Sequence, residues 1–375
     1  MASFQQYDTK KEGKMWLYKL VTGTDANGKQ KHTTRRGFAT KKEAQKHAAA
    51  FQTDLARGLA VAEVRKDTLA EFCTECLEKT FKHNLKSGTL LRQRGFLKYI
   101  VEHIGGMKVQ KITPKDINNF YNDLLEGDEE KGRAPLGAGT VRGVGMFLSK
   151  CMKQAVDFEM RPSNPCDKVK KPSYKPKPRA IWSAEQFLHF LESSKDSRLH
   201  PLYMIALLTG LRFGEVTSLT WDDVNFDEQT ITVSKTTART ENTIFLQEET
   251  KTGKNRAVTM SETLARYLKR YKLKQKPNPL GLVVATERGK IMHNASARNT
   301  FVRDVEAAGL PLIVMHAMRH SHLTDLLLSG EAVAVVSQRA GHSSPSITMG
   351  VYAHALPSSQ RTLADKMEER YKLNL

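Results

Sequence analysis

The chain has 375 residues, with 59 Lys and Arg against 40 Asp and Glu and a formal net charge of +19. A hydrophobic fraction of 39% beside 26% charged residues supplies cores for two or three domains and excludes disorder as the general state. Excess positive charge spread over the chain implies a polyanionic partner, and nucleic acid is the commonest one. No apolar run approaches the roughly 18 residues of a bilayer span. The opening MASFQQYDTKKEGK carries no apolar signal core, so the chain is expected in the cytoplasm. Cys73, Cys76, Cys151 and Cys166 are too few for a disulfide framework, and the single Cys-x-x-Cys pair lacks a partner pair at zinc-site spacing. They are expected to be reduced core residues, with no metal and no cofactor.

Residues 1–60 hold 12 Lys and Arg against 5 Asp and Glu, a net of +7. The alternation over Met15–Leu20 predicts a strand, Asn27-Gly28 a hairpin turn, and Lys31–Phe38 a basic returning strand. Thr40 with Glu43 three residues on has capping-box spacing and opens a helix through about Arg57. A small sheet bearing Lys29, Lys31, Arg35 and Arg36, backed by one helix, is a candidate DNA-reading module. A second capping box at Thr68 and Glu71, and the helix start at Thr113-Pro114, mark a helical domain over 66–169. Its Gly-rich stretch Glu126–Gly139 is read as the loop between the third and fourth of its helices. The Pro-rich KVKKPSYKPKPR over 168–179 is extended, with a linker placed at 170–180; its lysines, among them Lys175 and Lys177, are suited to a phosphate backbone. Ser183 and Gln186 restart helical structure, and a mostly helical domain over 181–375 has a β-rich insert around Thr230–Met260.

Five segments of this last part stand in a telling order. Thr209-Gly210-Leu211-Arg212-Phe213-Gly214-Glu215 follows the apolar helix Tyr203–Leu208, and Glu215 is placed to orient the Arg212 guanidinium. Lys251-Thr252-Gly253 lies between expected strands Ile244–Gln247 and Ala257–Met260, at the tip of an expected hairpin; Lys254 and Lys235 occupy the same insert. His316 and Arg319 share a helical face at i and i+3. Gly341-His342 and Tyr352 complete the set.

Arg, Lys, His-x-x-Arg, Gly-His and Tyr in this order resemble the signature of the tyrosine recombinases, the integrases of temperate phages and conjugative transposons. The resemblance spans the chain and implies an α+β protein, mainly α with small β elements. Its parts would be a three-stranded sheet plus helix that binds arm-type DNA sites (1–60), a helical core-binding domain, a linker, and a mostly helical catalytic domain with a β-hairpin insert. It implies Arg212 and Arg319 as the catalytic arginines, Lys251 as the hairpin lysine, His316 and His342 as the two histidines, and Tyr352 as the nucleophile. Ala340 before Gly341, and the apolar Ala317-Met318 between His316 and Arg319, depart from the common Leu and Asp-Leu, without loss of a chemical group.

The chemistry asks for such a set. A phosphodiester under attack gathers negative charge on its non-bridging oxygens, and arginine forks stay charged and match those oxygens. A tyrosine can hold the cut strand as a phosphotyrosine and conserve the bond energy for religation. Its phenol titrates near 10, so attack needs a proton acceptor, for which His316 is the candidate, while Lys251 is the candidate acid for the leaving 5′-oxygen and His342 a hydrogen-bonding partner of a non-bridging oxygen. Implied partners are core and arm attachment sites on double-stranded DNA, a homotetramer on DNA, a host DNA-bending protein and an excisionase. A chromosome-dimer-resolving recombinase and a type IB topoisomerase remain alternatives. A helix-turn-helix regulator, suggested by Val335–Pro345, leaves the other four segments without a role.

Overall fold

The computed structural model describes residues 2–9, 13–24, 30–56, 67–130, 132–174, 180–248, 255–352 and 359–371. The chain divides into two compact units, Met1–Lys175 and Pro176–Leu375.

The first unit begins with an antiparallel sheet of order β1 (Ser3–Thr9), β2 (Gly13–Thr24), β3 (Gln30–Phe38), followed by helix α1 (Lys41–Ala56). Alternation puts Tyr18 and Leu20 of β2 toward α1, where they bury with Ala44 and Ala48 and pack against Phe4, Trp16, Phe38 and Phe51. The Tyr18 hydroxyl finds its partner at His47 Nδ1, 2.9 Å away. Asn27 and Gly28 lie outside the described residues. A separate core belongs to α2 (Leu69–Glu75), α3 (Ser87–Ile104), α4 (Pro114–Glu126) and α5 (Ala138–Asp157), with Phe72, Leu77, Ile100, Ile117, Phe120 and Leu148 at its centre. The expected box of Thr68 with Glu71 forms, and at the expected Thr113-Pro114 start Thr113 makes a further one with Asp116; each pair exchanges backbone and side-chain hydrogen bonds. The chain passes from α2 straight into a π-helical turn, Cys76–Phe81. All four cysteines are buried free thiols.

In the second unit, Ser183 caps α6 (Ala184–Ser193) with Gln186 as read. Helix α7 (His200–Thr209) is buried over nearly its whole circumference, which is why its sequence lacks a polar stripe. Around it lie α8 (Phe213–Val216), α9 (Glu262–Lys274), α10 (Asn294–Ala307) and α11 (Met315–Leu328), sharing a core that includes Phe190, Tyr203, Leu264, Phe301 and Met318. Helices α12 (Val333–Ala340), α13 (Pro345–Tyr352) and α14 (Ser359–Tyr371) follow.

The insert departs from the expected hairpin. β4 (Val224–Asn225), β5 (Thr230–Val233) and β8 (Arg256–Thr259) form one sheet in that order, while β6 (Thr236–Arg239) and β7 (Ile244–Gln247) form another. The hairpin of the insert is therefore β6–β7, with Arg239 opposite Ile244, and the stretch containing Lys251 joins strands of different sheets instead of capping a β7–β8 pair. Pattern alone cannot choose between neighbouring strands as partners, since either pairing keeps the same alternation. Among the described residues, no helix is long and apolar enough to cross a membrane.

Candidate active site

Helix α7 ends at Gly210, whose φ of +71° is the left-handed turn a glycine adopts without strain. A Cβ there would also stand 2.5 Å from the His322 ring. This turn projects Arg212 at the N-terminus of α8. Arg212 donates from its backbone N to Glu215 Oε2 (2.9 Å), from Nη1 to Glu215 Oε1 (2.8 Å), and from Nη2 to the Gly341 carbonyl (3.2 Å). Glu215 is the orienting carboxylate expected from the sequence, and it is buried.

Arg319 comes from α11 and is buried as well. Its Nη1 donates to the Gly210 carbonyl and its Nη2 to the Ala340 carbonyl, both at 2.6 Å, and Nη2 stands 3.1 Å from His342 Nε2. Because a guanidinium only donates, His342 Nε2 accepts, and its Nδ1–H donates to Thr348 Oγ1 at 2.8 Å. Burial, and then the positive charges of Arg319 and Arg212, push the His342 pKa down to about 4. In this state the imidazole is neutral, and its contact with a non-bridging oxygen would require Nε2 to gain a proton or exchange its tautomer.

His316 begins the same helix but is exposed, with its ring 4.9 Å from that of His320 in an edge-on contact. His316 and Arg212 both line a cavity of about 930 Å³, together with apolar Phe213, Met292, Phe301 and Val314. Tyr352 is the last residue of α13, one helical turn after Thr348; its side chain lies outside the described residues. So do Lys251 and Lys254. Lys235 is engaged elsewhere, with Asp223 at 2.9 Å and the Thr220 hydroxyl at 3.1 Å.

Four further side chains support this centre without having been singled out from the sequence. Arg256 of β8 donates from Nη1 and Nη2 to the two oxygens of Glu215 (3.1 and 2.8 Å) and from Nε to the Arg339 carbonyl (3.1 Å). Burial opposes a charged Glu215, yet Arg256 by hydrogen bond and charge, and then Arg212, hold its carboxyl at about 2. The Arg339 side chain donates to His322 Nε2 (3.2 Å) and to the carbonyls of Thr259 and Leu208. Thr348 is the fourth. A signal did exist for Arg256: it shares the strand face of buried Val258, where a cation needs a buried anion.

Among the candidate DNA contacts, Arg35 and Arg36 do not share a face. The first lies over the Phe51 ring of α1 (5.7 Å) and the second over Tyr7 of β1 (5.8 Å), as neighbours on a strand must. Lys31 sits in β3 opposite Gly23, and Lys29, Lys175 and Lys177 lie outside the described residues.

The His322 pKa is also pushed down to about 4, by burial first and then by Arg339. An unfolded chain takes up these protons near pH 6.5, whereas the folded one resists until about 4. Stability from both histidines is therefore complete above pH 6.5 and is lost as the pH falls toward 4. The melting temperature is expected to drop between pH 7 and 5, with a shallower drop in His322→Asn; equal slopes would contradict this.

Comparison with known proteins agrees with this geometry. A model described as the phage integrase family matches residues 183–359, an arm DNA-binding domain matches 5–55, and a phage integrase N-terminal SAM-like domain matches 68–125. The ICEBs1 integrase of Bacillus subtilis is 29% identical, covering 72% of this chain and 75% of the relative. A XerC-like tyrosine recombinase of Caldanaerobacter subterraneus is 27% identical over 96% of this chain and 98% of its own. The fold is that of the Tn1549 transposon integrase in complex with a circular intermediate DNA, with a TM-score of 0.67, 22% identity, and coverage of 80% of this chain and 99% of that one. A lambda integrase tetramer bound to a Holliday junction gives a TM-score of 0.61 at 16% identity, covering 91% and 96%. With its arm-binding, SAM-like and catalytic segments each matched in order, this chain belongs to the phage integrase family of tyrosine recombinases.

Proposed function

We propose that this protein is a site-specific DNA recombinase that integrates and excises a mobile element or prophage, cutting and rejoining DNA through a 3′-phosphotyrosine. The observation that carries the reading is the convergence of Arg212, Arg319 and His342 on one turn at the end of α12. In the reaction the Tyr352 oxygen attacks the scissile phosphorus, its proton passing to His316, while the two arginines balance the charge gathering on the non-bridging oxygens. The bond to the 5′-oxygen breaks as Lys251 protonates that oxygen. The exchanged strand's 5′-hydroxyl then reverses these transfers and releases Tyr352, so no nucleotide is consumed. A suicide substrate nicked beside the cleavage site tests the reading: a protein-linked 3′ end is expected, and its absence would sink it.

Residues 1–60 are read as a separate arm-site module, with Lys29, Lys31, Arg35 and Arg36 as its candidate DNA contacts, although Arg35, over the Phe51 ring of α1, lies on the opposite face of β3 from Arg36. Lys175 and Lys177 are read as tracking the backbone of the core site. A relaxing enzyme has no use for such a module, which favours an integrase. Deletion of 1–60 is expected to spare cleavage of a minimal core site and to impair integration at a full attachment site; normal integration by the truncated chain would leave the segment a basic appendage.

The working form is proposed to be a homotetramer on two core sites, aided by a host DNA-bending protein and an excisionase and acting at the nucleoid in the host cytoplasm. Helix α14 supports the assembly, because Met367 and Tyr371 are exposed on it and a helix of this length is marginal in water unless it docks. A chain ended at residue 358 should bind single sites yet sediment without the tetrameric complex, and wild-type assembly would exclude α14 from the interface.

A further inference from the structure

Three consecutive carbonyls close helix α12, those of Arg339, Ala340 and Gly341, and each accepts from a different arginine. Arg256 Nε reaches the first at 3.1 Å, Arg319 Nη2 the second at 2.6 Å, and Arg212 Nη2 the third at 3.2 Å. The last carbonyls of a helix have no partner within it and carry the negative end of its dipole, so three guanidiniums suit them electrostatically and by hydrogen bonding. Gly341 is required in this turn. Its φ is +64°, and a Cβ would lie 2.8 Å from Arg256 Nη1.

Glu215 completes a ring. Its two oxygens take two N–H groups of Arg256 and two of Arg212, one from the guanidinium and one from the backbone, and both arginines return to the α12 turn. Arg256 offsets Glu215 and leaves the positive charge of Arg212 for a bound phosphate. Were Arg256 absent, the buried carboxylate would draw on Arg212 alone and cancel that charge.

Resting on the recombinase reading, we propose that Arg256 is a positioning residue of the reaction, which neutralises Glu215 and holds the α12 turn so that Arg212 presents its full charge to the scissile phosphate. The Arg256 side chain is 10% exposed against 20% for Arg212, and its Nε, Nη1 and Nη2 each donate to an acceptor of this chain, so its action runs through Arg212.

The test compares two suicide substrates, one with an ordinary scissile phosphodiester and one with a neutral methylphosphonate at that position. The neutral group gathers less charge and needs fewer cations. Arg256→Gln is expected to slow adduct formation on the phosphodiester at least 100-fold and on the methylphosphonate less than tenfold, with core-site binding unchanged. Restoring the charge count in Glu215→Gln/Arg256→Gln should recover at least tenfold on the phosphodiester. An unchanged phosphodiester rate, or an equal loss on both substrates, would overturn the proposal. If the single variant does not fold, the double one decides alone, since it buries no unpaired carboxylate. A phosphodiester-to-methylphosphonate ratio within threefold of the unmutated chain supports the proposal, and a tenfold fall refutes it. Failure of the unmutated chain to form any adduct would reject the recombinase reading itself, and this inference with it.

Discussion

Tyr352→Phe is expected to bind core-site DNA as the unmutated chain does and to form no covalent adduct. The substitution keeps the ring and removes only the attacking oxygen, so whatever packing places α13 is retained while the nucleophile is lost. No neighbouring group replaces it readily. Thr348, one turn earlier, accepts the His342 Nδ1–H through a buried hydroxyl, and an alkoxide there would have to form in a site that holds His342 neutral. The measurement is a denaturing gel of the protein after incubation with the nicked substrate. A shifted band from the Phe variant would move the nucleophile to another residue and undo the assignment.

Arg212→Ala and Arg319→Ala are each expected to reduce cleavage a hundredfold or more, corresponding to about 3 kcal/mol of lost transition-state stabilisation. Their effects on stability should differ. Arg319 satisfies the buried carbonyls of Gly210 and Ala340, and its removal leaves these acceptors stranded at about 1–3 kcal/mol for each. Arg212 is partly exposed, and without it Glu215 keeps its two-fold contact with Arg256. Arg319→Ala should thus melt well below the unmutated chain and Arg212→Ala only slightly below it, with both measured for cleavage at a temperature where they are folded. Retention of the normal cleavage rate in either variant, once folding is established, would remove that arginine from the reaction.

What could be read before folding was local. The capping boxes at Thr68 and Ser183 need only four consecutive residues each, and both form; at Thr40 the hydroxyl accepts from the Glu43 N–H as read, while the Glu43 carboxylate accepts from the Ala39 N–H instead of that of Thr40. His316 and Arg319 were assigned to one helix from a spacing of three, and Glu215 to Arg212 likewise, because a helical turn brings such neighbours together whatever the rest of the chain does. The order of the five segments carried the family, and the excess of Lys and Arg carried the class of partner.

The tertiary structure decided what depends on distant segments. Arg256 meets Glu215 across 41 residues and the Arg339 carbonyl across 83, and Arg212 meets Gly341 across 129. No periodicity encodes such meetings. Burial of Arg319 beside an exposed His316, three residues apart, follows from the packing of α11 on α7, and the neutral state of His342 follows from its burial and then from the Arg319 charge that α11 sets against its Nε2. Strand pairing belongs to the same class. β8 passes over its sequence neighbour β7 to pair with β5, because alternation marks which residues face a core but leaves the partner strand to be chosen by the packing of the whole unit.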